Sequence, residues 1–356
     1  MLGQQALHKI GEYPVFRRSR ERVNAFVAGH SPGMTKTRAY RDGTLQKEDF
    51  PVAEAAAVLA EPGTVVWIDL CEPSEADLSR LAGDLGLHRL AVEDAVQEHQ
   101  RPKLDRYDGH AFLTAYAVRF GSASDRPQTS ELAVFITPRA LVTVRKEDGF
   151  DIDAVTDRWD QAPDLAASGV PFLLHGLLDH VVDGHFDAVQ VLDDEVEALE
   201  DLVFDDRPDT DELQRRSFRV RKNLTRLRKV VGPVPDVLGS LMRPDLHLAD
   251  GTTRPYFADV HDHARQAADH LEALRERLTT VRETQLNLQS DRLNLIMKKV
   301  TGWAAVIAVP TAVTGFYGQN VPYPGNGTTA GFWVSTTVML VLSVGLYVLF
   351  KKRDWL

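Results

Sequence analysis

The rhythm of apolar and polar positions changes three times along this chain. Residues 1–60 are polar and mixed, with a basic run at Arg17, Arg18, Arg20 and Arg22 that suits a surface arm. Pro62-Gly63 then halts the chain, and Val65-Val66-Trp67-Ile68-Asp69-Leu70 predicts a buried strand. Ser74-Glu75-Ala76-Asp77 has the form of a capping box and opens a helix through about Leu85; a second helix fits 89–98. Residues 110–120 predict a strand, and 131–137 with 140–146, either side of Pro138-Arg139, predict a hairpin. Strands mixed with helices over 61–165 predict a layered α/β domain.

From Pro171 the period becomes helical. A helix over about 171–204 carries Asp193, Asp194, Glu195, Glu197, Glu200, Asp201, Asp205 and Asp206. The next, over about 209–231, carries Arg215, Arg216, Arg219, Arg221, Lys222, Arg226, Arg228 and Lys229. Joined by the Arg207-Pro208-Asp209 turn, the two predict an antiparallel pair of opposite charge within 166–250. Exposed ion pairs contribute little each, so the charge alone implies two solvated faces in weak attraction.

The third helical stretch is longer than a domain core needs. Ala267, Leu271, Leu274, Leu278, Val281, Leu288 and Leu295 recur at a spacing of three, four or a full heptad, and no Pro or Gly interrupts 257–299. The cytoplasmic part of this stalk, 251–296, therefore runs into an apolar segment at 297–317. From Asp259 to Tyr317 is 59 residues, about 88 Å as one helix. A second apolar segment occupies 332–350, so both reach membrane-spanning length.

Lys298 and Lys299 flank the first span at its N-terminal end, Lys351, Lys352 and Arg353 open the tail at 351–356, and the loop 318–331 carries no charge. The positive-inside rule then puts both termini in the cytoplasm and the loop outside. A polar or small stripe follows the long helix through Thr280, Thr284, Asn287, Asp291, Asn294 and Thr301, then Ala308, Thr311 and Gly315. Polar groups at bilayer depth need partners or water, so the stripe predicts either a shared aqueous lumen or packing against the second span. Two spans cannot enclose a pore, and a lumen therefore requires a ring of subunits.

Composition narrows the chemistry. A net charge of -10 argues against nucleic acid as a partner. The single cysteine, Cys71, excludes an intrachain disulfide framework and suits a reducing compartment. No apolar segment follows Met1, so the late spans are expected to serve as the insertion signal. Between Arg292 and Arg353 there is no Asp, Glu, His or Cys, which removes imidazole and thiolate ligands and a carboxylate proton relay from the spans. The soluble part has no Gly-rich phosphate loop and no nucleophile–base pair, so neither catalysis nor an organic cofactor is expected.

Tyr317-Gly318-Gln319-Asn320 after a span containing Pro310, with Asn294-Leu295-Ile296-Met297-Lys298 before it and Lys351-Lys352-Arg353-Asp354-Trp355-Leu356 closing the chain, resembles the CorA family of divalent-cation channels. Trp67-Ile68-Asp69-Leu70, Val92-Glu93-Asp94, Gln100-Arg101-Pro102-Lys103, Leu141-Val142-Thr143-Val144, Leu178-Asp179-His180-Val181-Val182-Asp183 and Asp259-Val260-His261-Asp262-His263 follow in that family's order. Each motif is weak alone; the ordered set covers nearly everything after residue 60.

The resemblance implies an α+β membrane protein: a funnel-shaped homopentamer in the cell (inner) membrane that passes Mg²⁺, with Co²⁺ or Ni²⁺ as further cargo. Gly318, Gln319 and Asn320 would form the selectivity loop. Asn287, Asn294, Met297, Thr301, Ala308, Thr311, Gly315 and Tyr317 would line the pore. Glu93, Asp94, Asp179 and Asp259 would bind regulatory Mg²⁺ between subunits, with Asp183 and His263 as auxiliary groups. Gln319 stands where the family usually has Met, and 318–331 lacks the acid many relatives place there, so cation attraction to the mouth should be weaker. A Zn²⁺-transporting relative and a membrane-anchored sensor that transports nothing remain as alternative readings.

Overall fold

The computed structural model describes residues 35–97, 100–121, 126–205, 210–249, 251–319, 325 and 327–355. It divides into two units, 1–278 and 279–356. Asn320, the basic run at 17–22, Asp206 and the Arg207-Pro208-Asp209 turn lie outside the described residues.

The first unit is built on a seven-stranded sheet of β1 (Thr35–Arg41), β2 (Thr44–Glu48), β3 (Thr64–Cys71), β4 (Lys103–Tyr107), β5 (His110–Phe120), β6 (Pro127–Ile136) and β7 (Ala140–Arg145), in the order β2-β1-β3-β7-β6-β5-β4. Every neighbouring pair is antiparallel except β3–β7, which is parallel with Trp67 opposite Leu141. Both faces are covered, so alternate residues of a central strand enter different cores. Trp67, Leu141, Val134 and Leu113 face one, and Ile68, Val142, Phe135 and Phe112 the other.

The second of these cores is closed by α1 (Ala55–Ala60), α2 (Glu75–Leu85) and α3 (Arg89–Val96). Ser74 caps α2, its side chain accepting from the Asp77 amide at 3.1 Å, as the capping box predicts. The first core is closed by α4 (Ile152–Asp160), α5 (Pro163–Ala166), α6 (Val170–Val203), α8 (Val234–Leu241) and the start of α9 (Arg254–Tyr317). Trp67 and Trp159 meet edge-on there, ring centres 4.9 Å apart.

Strands β3 and β5, the β6–β7 hairpin and helices α2, α3 and α6 stand where the apolar pattern predicts them, within a few residues. The strand pair 35–48 and helix α8 are additions to that reading. Helix α7 (Thr210–Val231) packs along α6, and Arg216 lies 3.4 Å from Glu195. The acidic run is shared, however: Arg277 of α9 forks onto Glu200 at 2.8 and 3.1 Å and also holds Asp193.

In the second unit α9 continues to Tyr317, and α10 (Thr329–Lys352) follows, capped by Thr328 accepting from the Gly331 amide. Both helices are long and apolar enough to cross a membrane, with mean hydropathy 1.4 and 2.0 over their most apolar windows. Gly302, Ala305, Val306, Val309 and Val313 form a partly covered face of α9, and Ser335, Met339, Ser343 and Leu346 form the corresponding face of α10. Trp303 and Tyr347 meet across this pairing with ring centres 6.2 Å apart.

Candidate functional site

Two groups of residues carry the expected chemistry, one in each unit. In the second unit Asn287, Asn294, Thr301, Ala308 and Gly315 recur every seven residues, with Met297 and Thr311 three residues after Asn294 and Ala308. A seven-residue step turns a straight helix by only about -20°, so these positions share one face. All seven are exposed, and at 100° per residue the stripe centres well over 90° away from the face that meets α10. The second span of the same chain therefore does not cover the stripe.

Hydroxyls of this part of the helix, Thr311 on the stripe and Thr314 beside it, are satisfied within the helix. Thr311 Oγ1 donates to the Ile307 carbonyl at 3.1 Å and Thr314 Oγ1 to that of Pro310 at 2.8 Å. Pro310 has no amide to donate, which leaves the helix ladder one bond short at this depth. The helix ends at Tyr317, where the Gly318 amide donates to the Thr314 carbonyl at 2.8 Å. Tyr317 is half-buried, Gly318 and Gln319 are exposed, and of the expected loop triad only Asn320 is outside the described residues.

The carboxylates lie in the first unit and fall into two sets. Glu93 and Asp94 sit on α3, Glu93 exposed and accepting from Gln97 Nε2 at 3.1 Å. Asp94 is held by Lys103 of β4 at 2.6 Å, and the same ammonium takes Asp105 at 2.7 Å. Burial works against the Lys103 ammonium, but its bonds to Asp105 and Asp94 outweigh that and hold its pKa above the usual lysine range.

The other set spans α6 and α9. Asp179 and Asp183, one turn apart on α6, are both bonded by Arg158 of α4, one guanidinium nitrogen to each. Burial and the neighbouring Asp183 charge still push the Asp179 carboxyl up, with Arg158, His175 and His263 opposing. His175, one turn before Asp179, is pushed down by burial against the attraction of Asp179 and Asp259. Among the described residues Asp259 reaches His263, at 3.9 Å, and its side chain is 68 % exposed, open to a partner beyond this chain.

Among the described residues no three of His, Cys, Asp and Glu converge tightly enough to hold a metal within one chain. The donors suit Mg²⁺ by type: carboxylate oxygens are the ligands this hard ion takes. Burial above all, with the Asp183 charge, keeps the Asp179 pKa raised even with Arg158 beside it. Sequence reasoning missed Arg158 and His175. The i, i+4 spacing of His175, Asp179 and Asp183 was the available signal for one; nothing local signals Arg158.

The family model described as "CorA-like Mg2+ transporter protein" matches residues 62–352. The chain belongs to that family. It is 29 % identical over 313 residues to the cobalt/magnesium transport protein CorA of Thermotoga maritima, covering 86 % of this chain and 89 % of the relative. The zinc transport protein ZntB of Yersinia enterocolitica is 23 % identical over 308 residues, covering 86 % and 91 %. The complete structure of the CorA magnesium transporter from Methanocaldococcus jannaschii shares the fold at a TM-score of 0.70 and 24 % identity, covering 91 % of this chain and 99 % of that one. This CorA relative is thus a divalent-cation transporter of the membrane, from a family of transporters and not of enzymes.

Proposed function

We propose that the chain is a Mg²⁺ influx channel, assembled as a homopentamer, whose pore is lined by the exposed stripe of α9. The observation that carries the reading is that stripe: an exposed, partly polar face, free of charge from Thr301 to Gly315, on the side of the helix that α10 leaves uncovered. Amide and hydroxyl oxygens can read a hydrated Mg²⁺ without stripping its waters, which this ion surrenders reluctantly. Asn320, with Gly318 and Gln319, would form the outer ring. Co²⁺ and Ni²⁺ are further cargo on this reading.

Cysteine scanning tests it directly. Cys71→Ser gives a cysteine-free background, since the chain has one cysteine. Single cysteines at Asn294, Thr301 and Thr311 should let a water-borne cationic thiol reagent block Mg²⁺ uptake into proteoliposomes. Cysteines at Val309 and Val313 should not. Equal block at both faces would sink the lumen assignment, and undiminished flux in Asn320→Ala would remove the loop as filter. Zn²⁺ uptake in preference to Mg²⁺ in the same vesicles would favour the zinc reading, and no uptake of either the anchored sensor.

For gating, regulatory Mg²⁺ bridges Glu93 or Asp94 of one subunit to Asp179 or Asp259 of its neighbour and holds the ring closed. Loss of the ion leaves repelling acids that loosen it. Asp94→Lys and Asp259→Lys supply a fixed cation and should give currents indifferent to cytoplasmic Mg²⁺; retained inhibition in both refutes this.

A further inference from the structure

Each of the two carboxylate sets already holds a cation of its own chain. Lys103 lies 2.6 Å from Asp94 and 2.7 Å from Asp105. Arg158 bonds Asp179 with one nitrogen and Asp183 with another. By contrast, among the described residues Asp259 and Glu93, the exposed members of the sets, are given a histidine and a glutamine. The basic groups therefore stand on the more buried carboxylates and leave the outward ones open.

The geometry of each pair suits exchange more than permanent locking. A guanidinium that clasps one carboxylate with its fork makes the strong two-bond arrangement. Arg158 divides its nitrogens between two carboxylates one helical turn apart, so each keeps a second oxygen. Asp179 and Asp183 are like charges at i, i+4 and repel, so they need a counter-ion whatever its source. Lys103 is likewise one ammonium for two acids, a point charge that a compact divalent ion can replace.

We infer that Lys103 and Arg158 are internal counter-ions that occupy the sensing carboxylates when Mg²⁺ is absent and must be displaced for it to bind. The inference rests on the gating reading above and adds what sets its threshold. The intrinsic attraction of paired acids for a divalent cation is reduced by the energy of the ion pairs that it breaks. The sensor is thereby tuned to respond at higher Mg²⁺ than its acids alone would.

Purified full-length protein in detergent micelles supplies a readout apart from transport: the Mg²⁺ concentration at which its melting temperature has risen halfway. Lys103→Met and Arg158→Gln should each lower that midpoint, by roughly two- to fivefold, the upper part of the range expected for partly exposed ion pairs. Arg158→Lys keeps the charge and should stay near the wild-type midpoint. Arg106→Gln removes an equal charge from a pair with Asp245 and should leave the midpoint in place. Lys103→Met carries the test independently if Arg158→Gln does not fold. A responsive wild type with unmoved Lys103→Met and Arg158→Gln midpoints overturns the inference alone, as does an equal shift in Arg106→Gln. A wild type whose melting ignores Mg²⁺ overturns the sensing reading and this one with it.

Discussion

His185 gives the sharpest prediction about the soluble unit. It lies on α6 with no exposed surface, and its Nε2 donates to the Tyr116 carbonyl of β5 at 2.7 Å. Nδ1 then carries the lone pair, is buried and meets no hydrogen-bond partner among the described residues. A side chain at the preceding Gly184 would come 2.8 Å from the Val118 carbonyl, so helix and strand pack closely beside it. Protonation would bury a bare charge, and the pKa is pushed down to about 4 from 6.5. A folded-state pKa below the unfolded one gives stability that is complete above pH 6.5 and is lost as pH falls toward 4. At pH 5 the loss relative to pH 7.5 is about 2 kcal/mol, or roughly 4–8 °C in melting temperature for a unit of this size. His185→Gln can still donate to Tyr116 and does not titrate. Melting the full-length wild type and this variant between pH 7.5 and 5 isolates the histidine, because every carboxylate contributes equally to both. Parallel pH profiles would refute the argument.

Three further outcomes concern packing. Arg145→Met leaves Asp69 buried without its counter-ion, with Thr143 at 2.6 Å still bonding it, and should cost about 3–5 kcal/mol by thermal unfolding. Gly176→Ala places a methyl 2.5 Å from Trp159 Nε1, whose bond to the Leu173 carbonyl fixes the indole; about 1–3 kcal/mol of overpacking and a changed tryptophan emission are expected. Ser74→Ala removes the α2 cap and should cost about 1 kcal/mol, restored by Ser74→Asp.

What the chain reveals before folding follows from where its information is local. Strands β3, β5 and β7 are legible because both faces are buried and the apolar run is nearly continuous. The strands at the two ends of the sheet are not. Thr44–Glu48 is almost wholly polar, and in its inner neighbour Thr35–Arg41, Thr37 and Arg38 are buried by bonds to the Phe50 carbonyl, Glu48 and Asp160, which no periodicity records. Lys103–Tyr107 is polar because it closes the sheet's other edge. Helix α8 hides behind Pro233, Pro235 and Gly239, residues that read as breakers although Pro is welcome in a first turn. The heptad stripe was legible, being a property of one helix. Arg158 on Asp179, and Arg277 on Glu200 from 77 residues away, were not, because no local pattern pairs them.

The lone parallel joint of the sheet has a consequence during synthesis. Strands β2-β1-β3 form one antiparallel set and β7-β6-β5-β4 another, and each can assemble from neighbouring chain. Asp69 meets Arg145 only across the joint, 76 residues later. At about 5–20 residues per second the ribosome takes roughly 4–15 s to deliver that arginine. Throughout that interval the β3 edge and its carboxylate face water or chaperone, and the nascent chain holds a half-sheet waiting for its counter-ion.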